Sequence, residues 1–159
     1  MSNRRPPPSR LVLLCLLVAV GSFTGCTSIE MKRLTADLNP TQVCIRENPK
    51  VLVTDFLDVL QAGFDRHGIV SKIVPADAPA GCEYTVTYTA LRSWDISTYL
   101  SHAEIRIEKD GHEVAHAIYH LRVKGRVMLT KWEDTPTKMD PIIDDLLKFQ
   151  HRGWIKRGL

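Results

Sequence analysis

An Asp110-Gly111 pair divides a long alternating segment, and it constrains the fold more than any other feature of the chain. Before the pair, Ala103, Ile105 and Ile107 alternate with polar residues. Asp-Gly flanked by alternating apolar residues is a signal for a type I′ turn, whose twist matches that of two antiparallel strands. Residues 103–123 are therefore predicted to form a β-hairpin that turns at this pair.

The return half of the hairpin contains "HEVAH", residues 112–116, which is the H-E-x-x-H pattern of zinc peptidases. On a helix, the two histidines share one face and reach a metal at about 2.0 to 2.1 Å. On a strand, they stand about 13 Å apart at roughly 3.3 Å per residue, so the secondary structure decides the chemistry. The hairpin predicts the cross-strand pairs Lys109–His112, Ile107–Val114, Ile105–His116 and Ala103–Ile118.

The residues around the motif also argue against a zinc site. Zinc peptidases place an uncharged residue two positions before the first histidine, where this chain has Asp110, and their longer motif has a third histidine where Arg122 stands. A third zinc ligand farther along the chain, such as Glu133, remains an alternative. A second set of histidines is not expected to converge on one metal ion. His102 is expected opposite Tyr119 and therefore on the other face of the sheet. We therefore expect no catalytic residue, no metal and no cofactor, and a zinc hydrolase remains the alternative hypothesis.

The first 25 residues have the pattern of a secretory signal. Arg4, Arg5 and Arg10 form a positively charged region, and an apolar run follows at residues 11–21. That run is shorter than the 18 or more residues of a membrane helix. The segment is therefore expected to be a cleaved signal peptide.

The signal is followed by "FTGC", residues 23–26, which resembles the lipobox of bacterial lipoproteins. The resemblance implies that Cys26 carries a diacylglycerol and an N-acyl chain, which together anchor a protein stably. Thr27 and Ser28 follow, and neither is the aspartate associated with retention in the inner membrane. The resemblance thus implies the outer membrane, on its periplasmic side. A plain secretory signal with an incidental cysteine is the alternative.

Removing the signal changes the charge and the cysteine count. The full chain has 21 Lys+Arg and 18 Asp+Glu, and the signal contains three arginines and no acid, so the mature chain is neutral. A neutral chain gives no reason to expect nucleic acid as a partner. With Cys15 removed and Cys26 lipidated, Cys44 and Cys82 remain as a candidate disulfide of an oxidising compartment, with two buried free thiols as the alternative.

The mature chain is expected to contain a lipid-anchored tether over 26–40, one α+β domain over 41–149 and a basic tail over 150–159. Asn48 and Pro49 resemble the N-cap and first residue of a helix, and Gly68 resembles the residue that ends it. The predicted elements are strands over 41–47, 69–74, 83–94 and 127–132, the hairpin over 103–123, and helices over 49–67 and 137–149. We expect a mainly antiparallel sheet, in the order β-α-β-β-β-β-α, with both helices on one face.

Several segments resemble one family. They are "VCIRENPKV" (43–51), "YTALRSWD" (88–95), "YLSHAEIRIEKDG" (99–111) and "TKMDPIIDDLL" (137–147), together with the lipobox cysteine. The chain resembles the Sbal-type family of small Gram-negative lipoproteins over nearly all of its mature length, up to about Leu147. That resemblance implies a location and no activity. A looser likeness of fold connects the chain to auxiliary lipoproteins of envelope lipid transporters.

The candidate binding surface consists of Arg92, Trp94, Tyr99 and Trp132, because aromatic residues and arginine are enriched at interaction hot spots. Burial of the two tryptophans as part of the core is the alternative. Together these features predict a non-catalytic interaction or accessory module of the cell envelope. Its expected partners are the membrane, through the lipid, and an envelope protein.

Overall fold

The computed structural model describes residues 27–77, 81–122 and 129–148. Its elements are β1 (Thr27–Lys32), β2 (Gln42–Arg46), α1 (Phe56–Arg66), β3 (Val70–Val74), β4 (Tyr84–Asp95), β5 (Ser97–Lys109), β6 (His112–Leu121), a 3-10 helix (Leu129–Trp132) and α2 (Thr135–Leu147). The described strands form one sheet in the order β1-β6-β5-β4-β2-β3. The fold is therefore α+β, as predicted.

The prediction of a mainly antiparallel sheet is wrong, because the sheet is mixed. Strands β1, β6, β5 and β4 pair antiparallel, whereas β2 pairs parallel with both β4 and β3. The physical reason lies in the β2-α1-β3 connection. Helix α1 carries the chain back along the sheet before β3 begins, so β2 and β3 run in the same direction.

The segment before β2 contributes a strand to the sheet. Residues 26–40 are expected to be a tether, yet β1 lies within them and pairs with β6, with Thr27 opposite Leu121 and Lys32 opposite His116. The sheet therefore extends to Thr27, whereas the domain is predicted to begin at residue 41. An edge strand needs a partner on one side only, so its own sequence pattern is weak.

Helix α1 begins later than predicted. Residues 48–55 form a loop in which the Asn48 side chain donates to the Tyr88 carbonyl at 2.9 Å and accepts from the Lys50 amide at 3.1 Å. Asp55, instead of Asn48, is the N-cap residue. The end of the helix matches the prediction, since Gly68 follows it at a φ of 70°.

The predicted strand over 127–132 is also absent from its described part. Leu129–Trp132 is a 3-10 helix, and residues 123–128 lie outside the described ranges. Helix α2 then begins at Thr135, two residues before the predicted start, because the Asp134 side chain accepts a hydrogen bond from the Thr137 amide at 3.1 Å. A capping carboxylate of this kind fixes the first turn of a helix.

The core lies between one face of the sheet and both helices. Side chains from the two layers form a single buried cluster, which includes Phe56, Leu60 and Phe64 of α1, Met139, Ile143 and Leu146 of α2, and Ile45, Val86, Ile105, Ile107 and Ala115 of the sheet. The prediction that both helices cover one face is thus confirmed. The two helices also contact each other through partly exposed ion pairs, in which Arg66 of α1 pairs with Asp140 of α2 at 3.0 Å and with Asp144 of α2 at 3.1 Å.

The disulfide prediction is confirmed. Cys44 and Cys82 are bonded, with their Cα atoms 5.8 Å apart, and the bond joins β2 to the residues before β4. On the chain-entropy model, a bridge across this length of chain stabilises the folded state by about 3 to 4 kcal/mol. The bond therefore fixes the parallel pair at the end of the sheet where β4 begins.

Replacement of Gly63 tests how closely the two helices approach. A Cβ atom at this position would stand 2.4 Å from Cγ2 of Ile143. Gly63→Ala is expected to lower the free energy of unfolding by about 1 kcal/mol, because overpacking costs roughly 1 to 3 kcal/mol and outweighs the gain of about 1 kcal/mol in helix propensity. Denaturant unfolding measures the difference.

Two further variants complete this test. Gly81→Ala is the matched control, since a Cβ atom there meets nothing within 4 Å, and its stability should change by less than about 0.5 kcal/mol. In an Ile143→Ala background the loss from Gly63→Ala should disappear, because the obstructing methyl group is gone. Equal losses in both backgrounds would contradict the close approach.

Candidate functional site

The hairpin that contains the "HEVAH" segment has the predicted turn and a different register. Asp110 and Gly111 have φ angles of 50° and 77°, which agree with a type I′ turn. Lys109 lies opposite His112 as predicted, but Ile107 lies opposite Ala115 and not opposite Val114. Val114 is therefore the extra residue of a β-bulge, and every later pair is displaced by one position.

Relative to the predicted register, the bulge moves each side chain of β6 after Val114 to the opposite face of the sheet. Because side chains alternate along a strand, a shift of one residue moves each of them to the other face. Ala115, Ala117 and Tyr119 are buried, whereas His116 and Ile118 are partly exposed. The predicted pairs Ile107–Val114, Ile105–His116 and Ala103–Ile118 are thus wrong.

The bulge also brings two histidines together. His102 lies opposite His120 and not opposite Tyr119, and their ring centroids are 5.7 Å apart with an edge-to-face arrangement. Both side chains stand on the sheet face that the helices leave uncovered. Sequence patterns missed this pair, because it depends on the bulge.

The two histidines of "HEVAH" make separate local contacts. Strand β6 contains the whole motif, so the predicted strand is confirmed. His112 lies at the turn, with Nδ1 3.1 Å from the Asp110 carbonyl oxygen. His116 Nδ1 lies 2.7 Å from Oε1 of Glu113. In residues 27–77, 81–122 and 129–148, no group of three or more His, Cys, Asp or Glu side chains could hold a metal ion.

Glu113 is the centre of an ion-pair network on the uncovered face. Its other carboxylate oxygen accepts from Arg106 at 2.5 Å, and Arg106 also pairs with Glu104. The hydrogen bond from His116, followed by that from Arg106, lowers the pKa of the Glu113 carboxyl. The Glu113 carboxylate thus lies between Arg106 and His116 and is bonded to both.

The structure divides the predicted binding surface into two parts. Arg92 pairs with Asp55 at the start of α1, at 3.2 Å. Trp132 donates from Nε1 to the Asp95 carbonyl at 3.1 Å, and Tyr99 lies beneath the Lys131 ammonium, 4.4 Å from its ring centroid. Trp94 stands apart from these contacts and is 75% exposed.

Two lysines that sequence patterns did not indicate hold this region together. Lys131 is buried, donates to Oδ2 of Asp95 at 2.5 Å, and has its pKa raised by that hydrogen bond. Lys138 donates to the Lys131 carbonyl at 2.5 Å, and burial lowers the pKa of its ammonium. The loop before α2 is therefore fastened to the β4–β5 turn by hydrogen bonds and cation–π contacts.

The β4–β5 turn itself contains a strained residue. Ile96 has a φ of 61° and is 77% exposed. The left-handed region costs a residue with a Cβ atom roughly 1 to 2 kcal/mol, and a β-branched side chain is rarely found there. Such strain persists when the surroundings fix the backbone, which Lys131 and Trp132 do here through Asp95.

Neither a family model nor a curated protein matches the chain. The Sbal-type membership that the sequence motifs imply thus has no support from these two comparisons. Among solved structures, the chain is similar to a leucine-to-methionine variant of the PelC dodecamer from Paraburkholderia phytofirmans. That similarity has a TM-score of 0.53 and 12% identity, and it covers 78% of this chain and 99% of the other.

A second PelC dodecamer structure from the same organism gives a TM-score of 0.50 and 11% identity, over 76% of this chain and 98% of that one. A minor lipoprotein from Acinetobacter baumannii gives a TM-score of 0.33 and 15% identity, over 67% of this chain and 85% of that one. The two PelC comparisons show a shared fold. Within the described ranges, none of the helices has the length and apolar character needed to cross a membrane.

Replacement of Ile96 tests the strain at the turn. Ile96→Gly is expected to raise the free energy of unfolding by about 1 kcal/mol, because glycine adopts a positive φ without steric cost. Thr98→Gly, at an exposed position of the adjoining strand, should lower it by about 0.5 to 1 kcal/mol. Denaturant titration of both variants decides the matter, and a loss of stability in Ile96→Gly would contradict the proposed strain.

Proposed function

We propose that this chain is a lipid-anchored, non-catalytic accessory protein of the bacterial cell envelope, held on the periplasmic side of the outer membrane and active as a homo-oligomer. The observation that carries the proposal is the position of the lipobox cysteine. Cys26 directly precedes Thr27, the first residue of β1. A lipid on Cys26 would thus join the sheet itself, with no linker between membrane and domain.

The geometry of "HEVAH" supports a role without catalysis. A zinc peptidase needs both histidines on one helical turn, whereas His112 and His116 occupy an extended strand and make hydrogen bonds of their own. Glu113, which would serve as the general base of such an enzyme, is fixed between Arg106 and His116. We therefore assign these residues a structural role on the uncovered face.

Among the described residues, the sheet has an edge strand at each side, and both edges support assembly with further copies. Strand β3 forms one edge and exposes Val70 and Ile73, at 63% and 41%, and β1 forms the other edge. Unpaired edge strands offer backbone donors and acceptors to another chain. Contacts between two different surfaces of identical subunits form a ring when the rotation from one subunit to the next closes. The PelC proteins that share this fold are dodecamers, and we propose a homo-oligomer here as well.

The partner in the envelope is a further part of the proposal. The Sbal-type resemblance implies a location and no activity, so the proposal of an envelope partner does not depend on it. Trp94, which is exposed, and the uncovered sheet face with its Glu113 network are the surfaces that such a partner could reach.

The anchor is tested by Cys26→Ala in the full chain, expressed in a Gram-negative host. The variant should lose incorporation of labelled palmitate and should leave the membrane fraction after a carbonate wash, because its anchoring acyl chains are absent. Cys15→Ala, within the signal, is the matched control and should retain both properties. A Cys26→Ala protein that still carries palmitate would refute the anchor.

Assembly is tested on the lipidated protein in detergent by sedimentation or light scattering. The wild type should have several times the mass of one chain. Val70→Lys with Ile73→Lys should reduce it to a monomer, because charged side chains on an edge strand prevent pairing with another chain. Leu52→Lys replaces a more exposed apolar residue, at 80%, outside both edge strands and should leave the mass unchanged. A monomeric wild type would dispose of this part of the proposal.

A further inference from the structure

The β4–β5 turn projects from the end of the sheet at which β1 begins. Ser28 of β1 lies opposite His120, and His120 lies opposite His102, so these three residues mark one level across the sheet. From His102, strand β5 extends toward its own beginning at Ser97 and the turn at Ile96. The turn therefore lies beyond this level, on the same side as Thr27, the first residue of β1.

The projection of the turn exceeds the reach of the chain before β1. His102 and Ser97 are five residue steps apart along β5. The β4–β5 pairing shifts by one residue within this stretch, so one of the five steps does not add to its length. At about 3.3 Å per residue, the turn stands roughly 15 Å beyond the level of Ser28. Cys26 lies two residues before Ser28 and reaches at most about 7 Å in that direction. The turn thus extends roughly 8 Å past the residue that would carry the lipid.

The exposed apolar side chains concentrate at this end of the described structure. Trp94 and Ile96 lie at the turn and are 75% and 77% exposed, and Leu91 in the same hairpin is 51% exposed. Leu52 is 80% exposed and precedes Asp55, which Arg92 ties to the hairpin. Tryptophan is enriched where proteins meet the headgroup region of membranes, because its ring is apolar and its N–H remains able to donate.

The carboxylates of Asp95 in the turn and of Asp55 beside it are each paired within the protein. Lys131 holds Asp95, and Arg92 holds Asp55. An unpaired carboxylate would oppose entry into a region of low dielectric constant, whereas a paired one opposes it much less. The bonds to Asp95 also brace the turn in its projecting conformation.

We propose that the β4–β5 turn enters the interfacial layer of the membrane that holds the lipid anchor, with Trp94 and Ile96 as the inserted side chains. The inference rests on the proposed lipidation of Cys26, because the anchor places this end of the sheet against the bilayer. The distance of roughly 8 Å by which the turn extends past the lipid-bearing residue agrees with the depth of 5 to 10 Å at which amphipathic elements lie in the headgroup region. The lipid and the turn together would fix the orientation of the domain on the membrane.

Fluorescence quenching tests this inference on the full lipidated protein in vesicles of phosphatidylethanolamine and phosphatidylglycerol. The chain has three tryptophans, so Trp132→Phe with Trp154→Phe leaves Trp94 as the only one. Phospholipids brominated near the headgroup should reduce its emission at least twofold, and those brominated deep in the acyl chain should reduce it less. Trp94→Phe with Trp154→Phe is the matched control, in which Trp132, bonded to Asp95, should be quenched far less.

A second measurement avoids any effect of replacing Trp132. Ile96→Cys, in an otherwise unchanged chain, is labelled with a nitroxide, since Cys44 and Cys82 are bonded to each other. In vesicles, the label should become more accessible to oxygen and less accessible to a water-soluble nickel complex. A label equally accessible to the nickel complex in vesicles and in buffer would overturn the inference.

The outcomes separate the inference from the proposed function. A protein that carries the lipid but shows no quenching of Trp94 would overturn membrane insertion and leave the anchor intact. A blue-shifted Trp94 emission without quenching by brominated lipid would show that protein covers the turn, which also overturns it. A mature protein whose mass shows no lipid on Cys26 would overturn both. Shallow quenching together with a shielded label at residue 96 supports the inference.

Discussion

The bulge at Val114 sets the alignment of the antiparallel half of the sheet. By adding one residue between two pairs of the hairpin, it directs Ala115 and Ala117 toward the helices and places His116 on the outer face with Glu113. Small side chains at the inner positions let α2 lie close to β6. The outer positions carry polar side chains that bond to one another, with Glu113 between Arg106 and His116. Strand β1 follows the same alignment, because it pairs with β6 along its whole length.

The two ends of the sheet are built from different interactions. At one end, the Cys44–Cys82 bond joins β2 to the start of β4. At the other end lie the first residue of β1, the beginnings of both helices and the β4–β5 turn, connected by Arg92–Asp55 and Lys131–Asp95. One end is closed covalently, whereas the other exposes apolar side chains next to the attachment point of the proposed lipid. The proposed lipid on Cys26 would therefore place this exposed end of the sheet against the membrane.

Local signals explain which elements sequence patterns predicted. Strand β4, the turn at Asp110-Gly111 and the end of α1 at Gly68 each depend on residues that are neighbours in the chain. The parallel pairing of β2 and the edge strand β1 depend on partners far away in sequence, and no local period reports them. The same holds for the candidate site. The aromatic residues around Asp95 were found by composition, whereas Lys131 and Lys138 were missed because lysine is seldom buried.

By itself, the sequence determined the mixture of strands and helices, the turn of the β5–β6 hairpin, Cys44 and Cys82 as a candidate disulfide, and the extended conformation of "HEVAH". Only the tertiary structure decided which face each residue of β6 occupies, because an inserted residue changes the register without changing the local pattern. It also decided that Trp94 and Ile96 stand at the same end as Thr27, since that proximity follows from strand order across the sheet.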